Sequence, residues 1–293
     1  MNILVTGSSG FIGSFFTDRF LAQGHGVTAV DIADEYFPRD CREFFKRSTQ
    51  QFDLVVHCAA LVGGRATIDG RPLAVAGNMA IDYDMFEWAL RTEQKRVVYF
   101  SSSAAYPVPL QAKGSGHGNL RESDIDLNAP GLPDNTYGWS KLTGERLAAL
   151  AAAQGLPVHV FRPFSGYGET QSKDYPFPAF IERAKQREDP FMIWGDPSSS
   201  RDWIHVEDVF GAVMTAIDRD IRNGPINLCT GVETTFLQLA SMVCQQAGID
   251  PLVLPVEGKP QGVHRRVGDP TLLNTFFTPR VSLTEGIERA LRA

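Results

Sequence analysis

The sequence predicts an α/β fold, a doubly wound parallel sheet followed by a smaller C-terminal α/β lobe. Three observations carry this expectation. Short β-rich runs alternate with helical patterns through the first half of the chain. A glycine-rich turn, Gly7-Ser8-Ser9-Gly10-Phe11-Ile12-Gly13, joins the first such run to the first helical one. The second half is less regular and is broken by Gly- and Pro-containing loops. Alternation of strand and helix implies a parallel sheet covered on both faces.

Taken in order, residues 3–6 read as a strand and 13–23 as a helix with apolar Phe15, Phe16, Phe20 and Leu21. Residues 27–31 are a second strand. Too few residues separate Asp31 from Leu54 for the usual helix and strand; 40–47 predicts one short helix, and an edge strand is expected to be missing there. Residues 54–59 and 97–101 are strands. Between them, 79–91 has helical spacing of Met79, Tyr83, Phe86 and Leu90. A long helix over 136–154 stops at Gly155. Residues 158–161 form a strand that Arg162-Pro163 is expected to end. Further on, 177–186, 206–218 and 235–247 read as helices, and 191–194 and 226–229 as strands.

Composition narrows the function classes. The 293 residues are 43% hydrophobic and 21% charged, which suits a globular protein with a sizeable core. A formal net charge of −6 argues against nucleic-acid or membrane-surface binding. Cys41, Cys58, Cys229 and Cys244 are too far apart in sequence for a zinc knuckle or redox pair, so no metal site is expected. They read as reduced thiols of a cytoplasmic protein. No apolar run approaches the roughly 20 residues of a membrane span. Residues 2–7 already read as a strand entering a turn, so no signal peptide is expected.

The chemistry is concentrated in a few motifs. Glycines between strand and helix let the backbone turn tightly against a pyrophosphate, and the helix N-terminus then faces the phosphates. Asp31, ending the second strand, can accept from both ribose hydroxyls and repels a 2′-phosphate, so NAD is preferred to NADP. Tyr137 and Lys141 stand at i and i+4 on one helix face. A free tyrosine is a poor base at neutral pH, and a neighbouring ammonium with oxidised nicotinamide favours its phenolate. Ser101-Ser102-Ser103 follows a strand, at the end where ligands bind in such folds, and can share a proton with Tyr137. Arg201 suits bidentate phosphate binding or a surface pair with Asp202 or Asp208. Lys259, with Arg265 and Arg266 after it, completes a diphosphate pocket or forms a solvated basic loop; both readings stand.

Together these segments resemble the extended short-chain dehydrogenase/reductase family, in particular its nucleotide-sugar epimerase/dehydratase members. The resemblance spans the glycine turn, Asp31, His57-Cys58-Ala59-Ala60, Asn78, the serine cluster, Tyr137 and Lys141, Arg162-Pro163-Phe164, and the stretch from Trp194 to Asp208. It implies a Rossmann-type NAD domain over 1–164, with returning elements near 203–230, and a mainly substrate-binding lobe over 165–293. It implies Ser102, Tyr137 and Lys141 as catalytic residues. Gly7, Gly10, Phe11, Ile12, Gly13, Asp31, Ala59, Ala60, Asn78, Tyr137, Lys141 and Pro163 then hold NAD. Ser102, Ser103, Lys173, Arg201 and Lys259 meet a nucleotide-diphosphate sugar. Family members commonly dimerise through two helices per subunit, here near 78–91 and 136–154.

Variable positions narrow the reaction the resemblance implies. The 4,6-dehydratases typically carry Asp and Glu after the catalytic hydroxyl, and the decarboxylases carry Glu second; here these are Ser103 and Ala104. Leu61-Val62-Gly63-Gly64-Arg65 and Tyr106-Pro107 look like GDP-mannose 3,5-epimerase and GDP-fucose synthase. Those enzymes carry an acid/base Cys where this chain has Ala104, and a second such group near Lys173 or Asp174. A C4 epimerase needs only Ser102, Tyr137, Lys141 and NAD. The alternatives are a 3,5-epimerase or keto-sugar reductase, and a non-catalytic NAD-sensing protein, against which the retention of all three catalytic residues argues. Loss of the edge strand removes the acidic-apolar pair that normally meets the adenine.

Overall fold

The computed structural model describes residues 1–222, 224–258 and 262–293. The chain begins with β1 (Asn2–Thr6), α1 (Phe11–Ala22), β2 (Gly26–Val30), α2 (Cys41–Arg47) and β3 (Leu54–His57). Two short helices, α3 (Arg65–Gly70) and α4 (Pro72–Ala76), lead into α5 (Asn78–Arg91), β4 (Val97–Phe100), α6 (Asn135–Ala153) and β5 (Val158–Pro163). Then come β6 (Ser165–Tyr167), α7 (Pro176–Lys185), β7 (Phe191–Trp194), β8 (Ser200–His205), α8 (Val206–Asp218) and β9 (Ile226–Leu228). The described chain closes with β10 (Glu233–Thr235), α9 (Phe236–Ala247), β11 (Val253–Val256), β12 (Arg265–Arg266) and α10 (Leu283–Arg292).

Six strands form one parallel sheet in the order β2-β1-β3-β4-β5-β9. Side chains of a strand alternate between faces, and both faces here are covered. On one side Ile3, Val5, Val56 and Val98 pack with Phe16 and Phe20 of α1 and Val209 and Val213 of α8. On the other, Leu4, Val55, Val97 and Tyr99 pack with Phe45 of α2, Trp88 of α5 and Ala148 of α6. Burying one such large apolar side chain contributes about 1.5–3 kcal/mol. A third apolar cluster joins α7, α9 and α10 to β7 through Phe180, Leu239, Ile287 and Phe191.

The doubly wound sheet and the absent edge strand agree with the sequence. β2 is the sheet's edge, and among the described residues nothing pairs beyond it. Arg39 lies along that edge instead, donating from its guanidinium to Ala29 O at 2.8 Å and from its backbone N–H to Asp31 O at 2.7 Å. One boundary differs. The fifth strand runs through Arg162 and Pro163 rather than stopping before them. Arg162 is held in the interior by Glu145, at 2.8 and 2.7 Å, and Pro163 is the last residue, where its missing N–H costs nothing. No helix among the described residues is long and apolar enough to cross a membrane.

Candidate functional site

The glycine turn fits a phosphate cradle. Gly7 has φ +68°, and a Cβ there would lie 2.6 Å from Ala59 N. A Cβ on Gly13 would lie 2.0 Å from Gly7 O. The turn therefore folds this tightly only with glycine at both positions. Gly10 begins α1 without any side-chain cap, and no acidic residue occupies the first turn, so the positive end of the helix is left for a ligand's phosphates at Phe11 and Ile12. Asp31 stands at the end of β2, accepting from Ser9 N at 2.9 Å and Ala33 N at 2.8 Å. This carboxylate bridges the glycine turn to the next loop. These residues fit the dinucleotide. Ala59 and Ala60 follow β3 against the same turn.

Tyr137, Lys141 and Ser102 come together. Ser102 begins a short turn after β4, its Oγ accepting from Ala104 N at 3.1 Å, and its hydroxyl faces the Tyr137 phenol. Helix α6 reaches this turn because residue 138 is glycine: a Cβ there would lie 2.3 Å from Ala104 O. Lys141 Nζ donates to Phe100 O at 2.9 Å and lies 5.9 Å from the Tyr137 ring centroid. Enclosure pushes the Tyr137 phenol up to about 12, against the opposing pull of Ser102. Burial also depresses Lys141, with Asp82 opposing.

The charged wall of the cleft is more elaborate than the sequence suggests. Asp134, three residues before Tyr137, accepts from Arg65 Nη1 at 2.8 Å and Arg266 Nη2 at 2.7 Å. Arg266 Nε also donates to Gln111 Oε1 at 2.6 Å. Arg201 donates to Ser200 O at 2.6 Å and stacks on Phe236 with its guanidinium 5.2 Å from the ring centroid. Burial, then the Arg266 guanidinium, hold it below the ordinary arginine range. The surface-pair reading of Arg201 is not what forms. Asp202 accepts from Thr230 and Gly231, and Asp208 from the backbone of Arg280 and Val281. Arg265 turns away to Glu233 at 2.9 Å, so only Arg266 of that pair faces Asp134.

The other expected site residues have varied surroundings. Asn78 spends its side chain on Leu61, accepting from its N–H at 2.7 Å and donating to its carbonyl at 3.0 Å, so it acts by holding the loop after β3. Ser103 is buried inside the turn after Ser102. Lys173 points outward, paired with Glu182 at 3.0 Å, because α7 brings that carboxylate to it. Lys259 lies outside the described residues. Pro163 closes β5 beside the serine turn. Asp134 and Gln111 were not legible as site residues. The one signal was an acidic residue a helical turn ahead of Tyr137.

Comparison with known proteins gives this arrangement a context. The sequence profile described as the NAD dependent epimerase/dehydratase family matches residues 3–229. The UDP-N-acetyl-alpha-D-glucosaminuronate decarboxylase of Bacillus cytotoxicus is 27% identical, over 99% of this chain and 96% of its own. GDP-mannose 3,5-epimerase 1 of Oryza sativa subsp. indica is 26% identical, over 98% of this chain and 80% of its own. The crystal structure of UDP-glucose 4-epimerase from Thermotoga maritima with UDP-glucose superposes with a TM-score of 0.84 at 25% identity, covering 100% of this chain and 98% of that one.

Proposed function

Because the chain belongs to the NAD dependent epimerase/dehydratase family, we propose that it is a nucleotide-sugar epimerase that inverts C4 of the sugar through a transient ketone. The observation that carries this reading is a contrast within the site. Ser102, Tyr137 and Lys141 converge, while the two positions after Ser102 are Ser103 and Ala104 and supply neither a carboxylate nor a thiol. Ala104 stands where the 3,5-epimerases carry a cysteine, and Lys173 is turned to Glu182. Likeness to a decarboxylase and to a 3,5-epimerase then reflects shared scaffold and cofactor use.

NAD, when bound, supplies reversible hydride acceptance. The chain's own residues do the rest. Gly7, Gly10 and Gly13 admit the pyrophosphate, and Asp31 takes the adenosine ribose. Tyr137 removes the proton of the reacting sugar hydroxyl and later returns it. Ser102 orients that hydroxyl. Lys141, held by Phe100 O, keeps two ammonium protons for the nicotinamide ribose and for the charge developing on Tyr137. Arg201 binds the substrate diphosphate, joined by Arg266 from β12. The 165–293 region serves as the substrate lobe. Tyr83, Trp139 and Leu150 lie exposed on α5 and α6, which supports homodimerisation through those helices. Four free cysteines suit a cytoplasmic enzyme.

The test is incubation with UDP-, GDP-, CDP- and dTDP-sugars in heavy water, with products read by NMR. Inversion at C4, without deuterium in the sugar and without net cofactor consumption, is expected. Deuterium at C3 or C5 would replace this reading with a 3,5-epimerase, and stoichiometric NADH consumption with a reductase.

A further inference from the structure

Below the catalytic lysine, Asp82 of α5 is buried at 0% exposure. Its Oδ2 accepts from the Tyr99 hydroxyl at 2.7 Å, and its Oδ1 lies 3.2 Å from His57 Nε2. His57 Nδ1 lies 2.7 Å from Thr6 Oγ1, which accepts from Ala59 N at 3.4 Å. Both carboxylate oxygens of Asp82 thus face polar side chains, and among the described residues no lysine or arginine nitrogen lies within ion-pair distance of it. The ammonium facing it is Lys141, 5.2 Å above the centre of the Tyr99 ring, whose hydroxyl is bonded to Asp82. Isolated buried charges are costly, and a pair of opposite sign relieves both. The close fit is enforced by Gly144 of α6: a Cβ there would lie 1.7 Å from the Tyr99 hydroxyl oxygen and 2.7 Å from Asp82 Oδ2.

We propose that Asp82 is the buried counter-ion of Lys141, acting across the Tyr99 ring, and that it sets the pH range over which the Tyr137–Lys141 pair works. Asp82 is a positioning residue, since it touches neither substrate nor cofactor. The pH part rests on the roles given above to Tyr137 and Lys141; the charge pairing does not. Other groups facing the pair are accounted for. Lys141 meets Cys58 beyond β3, Tyr99 on β4 and Tyr137 on its own helix. Tyr137 meets Ser102, Arg266 and Tyr175. Glu145, one turn along α6, is committed to Arg162 and to the Ser101 hydroxyl.

Removing a negative charge makes both neighbours more acidic. Turnover needs Tyr137 able to lose its proton, which sets the acid limb, and Lys141 charged, which sets the basic limb. Asp82→Asn therefore moves both limbs of the kcat/KM–pH profile to lower pH, by about one unit. Tyr99→Phe keeps the charge and lowers the profile with both limbs in place. A lowered profile with unmoved limbs in Asp82→Asn would overturn the pH role.

A stability cycle tests the pairing without any turnover. Lys141→Met leaves the carboxylate alone and lowers the urea midpoint; adding Asp82→Asn raises it again. A double variant no more stable than Lys141→Met would overturn the pairing, whatever reaction the enzyme performs.

Discussion

At the end of the cleft proposed for catalysis, Tyr137 and Lys141 stand on a floor of buried polar groups joined through Thr6, His57, Asp82 and Tyr99. A second buried set, Ser101, Glu145, Arg162, Tyr106 and Asn227, braces the serine turn from the side. At the Asp31 end the sheet simply stops. Ile32, Tyr36 and Phe37 project from the loop after β2, the two aromatic rings at 78% and 73% exposure. The difference follows the chemistry. Proton transfer fails when a donor is misplaced by a fraction of a bond length, so it is built on a rigid, fully packed floor. Holding a heterocycle needs only surface and a few contacts, which a loop supplies.

If that contrast is right, the largest effects belong to the floor and what stands on it. Tyr137→Phe removes the proton carrier and keeps the ring, so kcat falls by about a thousandfold or more. NAD affinity, measured by titration, stays within about twofold, since the remaining cofactor contacts are untouched. Full activity would remove Tyr137 from the mechanism. Gly144→Ala comes next. Its methyl collides with Tyr99 and Asp82, neither of which has room to yield. A loss of about 2–3 kcal/mol is expected from overpacking alone, read as a lowered thermal midpoint. An unchanged midpoint would mean that the floor is softer than its packing implies.

The same contrast explains what the sequence revealed. The strand–helix alternation, the glycine turn and the Tyr137–Lys141 pair are local patterns, readable because a helix or tight turn fixes the geometry of near neighbours. The missing edge strand was legible from spacing alone. What stayed hidden is long-range. Asp134 meets Arg266 across 132 residues, and Arg65 across 69. His57, Asp82 and Tyr99 each look like ordinary members of apolar runs or a helix, and only sheet register brings them together. Asn78, expected at the cofactor, holds Leu61 of the loop after β3 through both ends of its amide, a contact 17 residues apart that no local pattern announces. Lys173, expected at the substrate, pairs with Glu182, which α7 brings to it.

Between the two ends lies the substrate wall, and Arg201 gives a middle-sized effect. It stacks on Phe236 beside Arg266, with its charge uncommitted to Asp202 or Asp208. Arg201→Ala removes a charge-assisted contact made equally in ground and transition states. KM rises about tenfold with kcat within about twofold. A fall in kcat at constant KM would place Arg201 among groups that act on the reacting sugar carbon.

The smallest effect is expected at the open end. Tyr36 and Phe37 follow Asp31 closely in a loop ordered by Asp34, which accepts from both of their N–H groups at 2.9 and 2.8 Å. This turn holds two rings in water beside Asp31, the residue proposed for the adenosine ribose, and beyond the edge where no further strand pairs among the described residues. Such exposure contributes little to folding, so Tyr36→Ala with Phe37→Ala shifts stability by no more than about 0.5 kcal/mol per site. Stacking of a base on an aromatic ring contributes about 1–3 kcal/mol, and one ring at an exposed site falls at the lower end. NAD affinity of the double variant is therefore expected to weaken about fivefold, at roughly 1 kcal/mol. Nicotinamide mononucleotide, which lacks the adenine, should bind variant and parent alike. Equal loss for both ligands would show that the loop shapes the whole cleft, and no loss for NAD would leave the adenine to rest on the body of the sheet alone.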